Sequence, residues 1–277
     1  MHHPVVSADE WTAARKRLLE KEKAFTRLRD ELTAERLALP WEKVDKTYVF
    51  DGPDGPETLA DLFAGSSQLL VTHFMFGPDW EQGCVGCSFG MDHLDPIIDH
   101  LAQKDVTCVA VSRAPLSKIA PFKQRMGWRM KWVSSNRSDF NFDFHVSFTP
   151  DEIARGEAWY NYELRKISTD ELAGRSVFYK NEAGEIFHTY SSFAHGGEDI
   201  VGAYRFLDIM PKGRDEGPGG NLSHWVRHHP RYDQRGPEWP TNSSSIPTRC
   251  PAGAWSAGCS RRLASPTTPR SSTTRRP

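Results

Sequence analysis

A near-continuous apolar run over residues 69–76, LLVTHFMF, constrains the fold of this chain more than any other segment. Strands with one solvated face alternate apolar and polar residues, whereas such a run is typical of a strand buried on both faces of a parallel or mixed sheet. A second run of the same character spans residues 106–111. The sequence therefore predicts an α/β sheet with helices packed against both of its faces.

Cys84 and Cys87 follow the first apolar run and form the motif C-V-G-C at the start of a predicted helix. Thiols two residues apart at a strand-to-helix junction are typical of reversible dithiol/disulfide chemistry. Free N–H groups and the partial positive charge of the helix start favour a thiolate on the first sulfur. The second sulfur lies one turn further on, where it can attack a mixed disulfide formed on the first.

Other interpretations of this motif stay open. Both cysteines could be structural, or the motif could be half of a zinc site that His73 and His93 complete, although neither histidine has motif-like spacing. The remaining cysteines, Cys108, Cys250 and Cys259, form no second pair. Cys108 lies in the second apolar run, where we expect it to act as a small core residue.

A long amphipathic helix is predicted at the beginning of the chain. Ser7 and Glu10 form a capping box, and apolar residues then recur at steps of three, four or seven up to about residue 37. We expect this helix to pack on a domain surface, and the alternative is a helix that mediates a homodimer.

The remaining pattern alternates strands and helices. It predicts strands at 48–50 and 131–134, helices at 58–63, 118–126 and 199–210, a kink at Pro96 in the CxxC helix, and a hairpin with strands 176–180 and 185–190. Residues 138–148 predict a strand that buries its phenylalanines on one face, and the alternative is the lining of a substrate pocket. The order of elements, with the CxxC after a buried strand, favours a thioredoxin-like fold.

Composition narrows the function classes. The chain has 277 residues with 35 basic and 36 acidic side chains, a balance that argues against nucleic acid or a membrane surface as partner. We find neither an 18-residue apolar run nor a signal peptide, so we expect a cytoplasmic protein.

We predict an N-terminal helical extension (1–40), a thioredoxin-like domain (41–212), a C-terminal extension (213–235) and a disordered tail rich in Pro, Ser, Thr and Arg (236–277).

Five segments together resemble the DUF899 family of thioredoxin-like bacterial proteins. They are THFMFGPDWEQGCVGCSF (72–89), VAVSRAPL (109–116), RMGW (125–128), SDFNFDFHVSF (138–148) and SVFYKNEAGEIFHTYSSF (176–193). The resemblance covers about residues 5–235 and excludes the tail. It implies a thioredoxin-like fold related to the alkyl hydroperoxide reductase group, with a mixed sheet flanked by helices and Cys84 and Cys87 as the cysteine motif.

The chain departs from its relatives around this motif. Family members often carry Pro-Ser between the cysteines and a Trp after CSF, where this chain has Val85-Gly86 and Gly90. Thioredoxins place a cis-proline before the hairpin strand, but residues 171–176 contain no proline. The Trp that precedes the first Cys in thioredoxins is also missing, and Trp80 lies four residues upstream. Substrate binding is therefore expected to differ from that of thioredoxin.

The favoured hypothesis is a thiol-disulfide oxidoreductase or thiol peroxidase in which Cys84 is the nucleophile and Cys87 resolves. Trp80 and Arg113 are candidate substrate-binding residues. Arg113 follows the end of a predicted strand, which is where α/β sheets bind ligands. The alternative for Arg113 is a surface ion pair. We expect no metal and no bound cofactor, with a thiol electron donor and a disulfide or peroxide substrate as partners. The alternatives are a non-catalytic binding module with vestigial cysteines and a zinc-binding CxxC.

Overall fold

The computed structural model describes residues 3–216 and 225–232, which lie in one compact unit that ends at Tyr232. The segment 236–277, with Cys250 and Cys259, lies outside the described residues. The predicted division of residues 1–235 into three parts stays a prediction. Within the described ranges, no helix is both long and apolar enough to cross a bilayer.

Helices and strands alternate through the middle of the chain, as predicted. The helices are α1 (Ala8–Leu37), α2 (Val85–Leu94), α3 (Ile98–Ala102), α4 (Leu116–Met126), α5 (Phe140–Asp143), α6 (Pro150–Arg155) and α7 (Gly202–Leu207). The strands are β1 (Glu42–Lys43), β2 (Val49–Gly52), β3 (Gly55–Thr58), β4 (Gln68–His73), β5 (Val106–Ser112), β6 (Lys131–Ser134), β7 (Glu157–Tyr160), β8 (Glu163–Lys166), β9 (Gly174–Lys180) and β10 (Ile186–Phe193). Pro96 lies in a short 3₁₀ segment, Asp95–Ile97, which separates α2 from α3.

The main sheet has the strand order β1-β10-β9-β4-β5-β6-β2-β3. β4, β5 and β6 are parallel to one another, while β9 pairs antiparallel with the other side of β4 and forms a hairpin with β10. A parallel β4-α2-β5 unit that carries the CxxC, followed by an antiparallel hairpin on the same central strand, is the arrangement that the family resemblance implies. The fold is thioredoxin-like, with a mixed central sheet and a long N-terminal helix.

The central strands are buried on both faces, which confirms the expectation from the apolar runs. In β5, Cys108 and Ala110 belong to a core cluster beneath α2 and α4, whereas Val109 and Val111 belong to a second cluster on the opposite face. This alternation follows from the period of two residues in a strand. Cys108 is a small core residue, as predicted.

The N-terminal helix α1 begins with the predicted capping box, since Ser7 accepts from the N–H of Glu10 and the Glu10 carboxylate accepts from Ser7. No residue of α1 is buried. Its large apolar side chains are exposed, from 38% for Leu19 to 81% for Leu37. The expectation that this apolar face packs on the domain surface is therefore wrong for the single chain.

The prediction of a strand at residues 138–148 is wrong. Residues 140–143 form the single-turn helix α5, in which Phe140 is fully buried. The alternating phenylalanines resemble a strand, but Phe140 and Phe144 lie only one helical turn apart and touch each other with ring centroids 4.6 Å apart. The antiparallel pair β7–β8 was not predicted, because its sequence, EAWYNYELRK, lacks the turn residues of a two-residue hairpin.

Phe140 fills the centre of the aromatic cluster on this face of the sheet, 4.9 Å from Phe50 and 5.5 Å from His73 by ring centroids. We expect Phe140→Ala to lower the free energy of unfolding by about 3–5 kcal/mol, because it leaves a cavity that the sheet cannot close. The matched control Phe206→Ala removes a ring that is 69% exposed. That control should change stability by less than about 0.5 kcal/mol in chemical denaturation. Equal effects of the two substitutions would contradict this account of the core.

Candidate functional site

The two cysteines lie where β4 gives way to α2. The intervening loop is tied down at several points: the Cys84 N–H donates to Met75 O at 2.9 Å, and Lys118 donates to Pro78 O at 2.8 Å. His228, from the distant C-terminal segment, donates from Nε2 to Gly83 O at 2.9 Å. Because three separate parts of the chain hold this loop, the first thiol is placed by tertiary structure rather than by the motif alone.

Cys84 is the N-cap residue of α2, at the end where the first N–H groups of the helix have no partner within it. A hydrogen bond from the Cys87 thiol and further ones from the backbone N–H groups of Cys87 and Gly86 lower the pKa of Cys84 to about 6, although burial opposes them. At neutral pH this sulfur is a thiolate, which is the nucleophilic form. The prediction that its pKa lies below the ordinary thiol value agrees with this environment.

Cys87 has the opposite character. The hydrogen bond that it donates to Cys84, together with burial and the charge of that sulfur, raises the pKa of Cys87 well above its ordinary value. Two weaker influences act in the other direction, namely the Met75 N–H, which donates to Cys87 Sγ at 3.4 Å, and the positive charge of Arg175. The pair therefore shares one proton, which rests on Cys87.

Arg175 was missed by the sequence reasoning. It occupies the second position of β9, opposite Thr72 of β4, and the pairing places both side chains on the face covered by α2. Burial lowers the pKa of Arg175, while a negative charge on Cys87 would raise it. The signal in the sequence was slight: an arginine at the start of a hairpin strand, in the segment where thioredoxins carry their cis-proline. No peptide bond of the described residues is cis.

A cavity of about 570 Å³ opens beside the second thiol. Cys87, Thr72, Arg175 and Tyr204 line it, together with Glu198 and Arg214 from the last part of the described chain. Volumes of this size hold small molecules. The cavity gives a small reactant access to the dithiol from the side of Cys87.

Trp80 and Arg113, the candidate substrate-binding residues, meet at a different place. Trp80 donates to Asp170 at 3.3 Å, and Arg113 bonds both Asp170, at 3.1 Å, and Glu171. Burial raises the pKa of Glu171 to about 7, although Arg113 and Ser147 hold it lower than burial alone would. These bonds tie the loops after β4 and β5 to the loop before β9. Neither Trp80 nor Arg113 lines the cavity beside Cys87, and their role in substrate binding stays a prediction.

The histidines that were considered as zinc ligands have structural partners. His73 is buried, which lowers its pKa to about 3, and its Nε2 lies 2.8 Å from Ser176 Oγ. His93 donates from Nδ1 to Phe89 O and accepts at Nε2 from the Ala203 N–H, so it joins α2 to α7. Among the described residues, no group of three or more His, Cys, Asp or Glu side chains is arranged to hold a metal ion.

The alternative for residues 138–148, a pocket lining, has partial support. Asp143, Phe144 and His145 line a second cavity of about 440 Å³ together with His188 and Tyr162. This cavity lies on the sheet face opposite the cysteines, since Phe144 packs with the cluster that contains Phe140. It is therefore separate from the dithiol.

The family model described as "Bacterial protein of unknown function (DUF899)" matches residues 1–232, well over half of the chain. The chain belongs to the DUF899 family. A search of curated proteins found no match.

Solved structures similar to this DUF899 protein include three peroxiredoxins. The peroxidoxin BcpB of Mycobacterium tuberculosis is 13% identical with a TM-score of 0.38, over 61% of this chain and 97% of that one. Peroxiredoxin Q of Xanthomonas campestris is 12% identical with a TM-score of 0.39, over 60% and 95%. The mitochondrial 2-Cys peroxiredoxin of Plasmodium falciparum is 10% identical with a TM-score of 0.35, over 61% and 92%.

The unequal thiols lead to a prediction for alkylation. In a Cys250→Ser/Cys259→Ser background, the rate at Cys84 should rise with pH to half its maximum near the lowered pKa of about 6, because the thiolate is the reacting form. Cys87→Ala removes the donor that holds this thiolate, so it should move the midpoint up toward the free value of about 8.5. Cys87→Ser keeps a hydroxyl donor and should move it less. Site-resolved mass spectrometry measures both, and equal, unshifted midpoints for Cys84 and Cys87 would contradict the account.

Proposed function

We propose that this DUF899 protein is a dithiol–disulfide oxidoreductase or thiol peroxidase in which Cys84 is the nucleophile and Cys87 the resolving thiol. The observation that carries the proposal is the inequality of the two sulfurs: Cys84, the N-cap residue of α2, has a lowered pKa, and Cys87 has a raised one. A nucleophile of low pKa beside a protonated second thiol is what two-step disulfide exchange requires.

In the first step, the Cys84 thiolate attacks one sulfur of a disulfide substrate. A new S–S bond forms to Cys84, the substrate disulfide breaks, and the departing thiolate takes a proton from solvent. With a peroxide, Cys84 attacks the terminal oxygen instead, the O–O bond breaks, Cys84 becomes a sulfenic acid and an alcohol or water leaves.

The second step follows from the cause of the high Cys87 pKa. Once Cys84 carries a mixed disulfide or a sulfenic acid, it has no negative charge, so the hydrogen bond and the charge that raised the Cys87 pKa are gone. The Met75 N–H and Arg175 remain, and both favour a Cys87 thiolate. Cys87 then attacks Cys84 Sγ, the Cys84–Cys87 disulfide forms, and the second substrate thiol or a water is released. Two thiols of an electron donor reduce the disulfide again.

Two alternative functions remain for the same residues. A binding module with vestigial cysteines would keep the cavity beside Cys87 without redox cycling, and a zinc-binding CxxC would need ligands from a partner or from another part of the chain. Metal analysis of the purified protein tests the zinc alternative. Thiol titration with and without reductant tests the vestigial one.

We also propose a cytoplasmic location, where a reduced thiol pool would supply the electrons. The CxxC motif and the balanced charge of the chain support it. Fractionation of a bacterium that carries the gene, with detection of the untagged protein in each fraction, tests it.

The redox proposal predicts a reversible disulfide and a division of labour between the thiols. The Cys84–Cys87 midpoint should lie in or slightly above the cytosolic range, on the order of −220 to −320 mV. Cys84→Ser should abolish turnover of peroxide or disulfide because it removes the nucleophile. Cys87→Ser should trap a mixed disulfide on Cys84, which intact-protein mass spectrometry detects. Cys108→Ser is the matched control, since this buried core thiol lies outside the motif.

The proposal fails if mild oxidation produces no Cys84–Cys87 linkage and the double variant Cys84→Ser/Cys87→Ser keeps the activity of the wild type. That result would favour the binding module.

We further propose that α1 pairs with α1 of a second copy in a parallel two-stranded coiled coil. Trp11, Leu18, Phe25 and Leu32 are spaced seven residues apart along its exposed face, with Ala14 and Leu28 between them. Lys21 and Glu35 interrupt this seam, so we expect a weak dimer.

Charge complementarity selects the second copy and the parallel orientation. In a parallel coiled coil, the residue directly before each of the seam residues spaced seven apart contacts a residue of the partner helix that lies five positions further along the sequence. The charged pairs formed in this way are all of opposite sign: Glu10–Arg15, Arg17–Glu22 and Glu31–Arg36. In the single chain Arg15 bonds Glu22 at 2.8 Å within its own helix, and pairing across the dimer would replace this bond.

Sedimentation at increasing protein concentration tests the coiled coil. Leu18→Glu with Phe25→Glu should keep the protein monomeric, because it places charges in the seam. The matched control Ala13→Glu with Ala34→Glu adds the same charge outside the seam and should leave the dimer intact. A wild-type protein that stays monomeric at all concentrations would contradict the proposal.

A further inference from the structure

Arg175 is a partly buried cation without a counter-charge among the described residues. Its Nε is inaccessible to solvent and has no hydrogen-bond partner, and no described residue forms an ion pair with its guanidinium. Buried charges are costly unless they are paired and hydrogen-bonded. Other partly buried arginines of the described chain follow that rule, since Arg113 pairs with Asp170 and Glu171, and Arg214 pairs with Glu198 and Asp208.

Cys87 does not supply the missing charge in the resting protein. It is the titratable group that interacts with Arg175, but it is protonated while Cys84 is a thiolate. Among the described residues, Arg175 therefore has no counter-charge in the resting protein, and a bound anion would provide one.

The surroundings of Arg175 leave room for its guanidinium. A Cβ on Gly90 of α2 would lie 3.1 Å from Arg175 Nη2, and a Cβ on Gly197 would collide with Nη1. Glycine on both sides thus lets the side chain pass between α2 and the segment that follows β10. The guanidinium reaches the cavity of about 570 Å³ that Cys87 also lines.

Thr72 supplies a second polar group at the same place. It faces Arg175 across the β4–β9 pair and lines the same cavity. Its hydroxyl is buried and has no hydrogen-bond partner within the described chain. Thr72 and Arg175 therefore offer hydrogen-bond donors at neighbouring positions of the same cavity wall.

We propose that Arg175 and Thr72 form a binding subsite for the carboxylate of a small-molecule reactant, held beside the dithiol. A guanidinium binds a carboxylate through two parallel N–H···O bonds, and the Thr72 hydroxyl can donate a third. Glu198 and Glu216 also line the cavity, so a singly charged group is favoured over a dianion such as phosphate. The subsite would orient a carboxylate-bearing thiol, disulfide or peroxide toward the sulfurs.

The part that this subsite plays in turnover rests on the proposed dithiol function, but carboxylate binding does not. Alkylation by iodoacetate and by its neutral analogue iodoacetamide separates the two. Each reagent forms one S–CH₂ bond to the same thiolate and releases iodide. A change in the pKa of the thiolate affects both rates equally and cancels in their ratio. The ratio therefore measures only how well the protein recognises the carboxylate.

The experiment measures this ratio at constant ionic strength, at Cys84 and Cys87, in the Cys250→Ser/Cys259→Ser background. Arg175→Gln should lower the iodoacetate-to-iodoacetamide ratio about tenfold, the order expected for a lost charge-assisted hydrogen bond. Thr72→Val should lower it about threefold, since it removes a neutral donor. The matched control Arg125→Gln removes an equal charge from α4 outside the cavity and should change the ratio less than about twofold, because salt screens exposed charges.

A ratio that is the same in wild type and Arg175→Gln overturns the subsite. If circular dichroism shows that Arg175→Gln does not fold, the wild-type protein provides a second test of the subsite. Acetate should slow its alkylation by iodoacetamide saturably, whereas chloride and acetamide should not. Absence of saturable protection overturns the subsite as well. If the ratio depends on Arg175 but no peroxide or disulfide is turned over, the carboxylate subsite stands and the dithiol function fails.

Discussion

The contact between Cys87 and Cys84 is the interaction that makes the two thiols of this protein unequal. It gives two chemically identical side chains different pKa values, because accepting a hydrogen bond lowers the pKa of Cys84 and donating one raises the pKa of Cys87. The helix start alone would favour a thiolate on Cys84, but its effect is modest, and burial opposes it. The difference in pKa between the two thiols thus arises from their contact one helical turn apart.

Holding these sulfurs in contact requires a rigid support. β4 is buried on both faces and pairs with β5 on one side and β9 on the other, so the end of the strand has little freedom. The loop that follows is pinned by Lys118 and by His228. The C-terminal segment 225–232 therefore belongs to the support of the site, although it lies some 140 residues from the motif.

The region before β9 is where this protein departs most from thioredoxin. Instead of a cis-proline, the loop carries Asp170 and Glu171, which Trp80 and Arg113 hold in place. Arg175 follows in β9 and interacts electrostatically with Cys87. Of the charged residues in this region, Arg175 lines the cavity beside Cys87, and the proposed carboxylate subsite rests on it.

The sequence by itself determined the central strands, the CxxC helix and their order. The continuous apolar runs indicated central strands buried on both faces, and the capping box indicated a helix that begins after Ser7. The C-V-G-C motif placed two thiols one helical turn apart. Each of these features depends on residues close together in the chain, so the sequence alone shows it. Residues 138–148 show the limit of such reasoning, since a period of two predicts a strand but contacts with Phe50 and His73 from other strands stabilise a helical turn. Only the tertiary structure decided that Arg175 lies beside Cys87, that Trp80 and Arg113 join an ion-pair cluster, and that His228 holds the loop before Cys84. These contacts join residues 57 to 145 positions apart in the chain. Their energies depend on burial and on the presence or absence of counter-charges, which no local pattern of residues records.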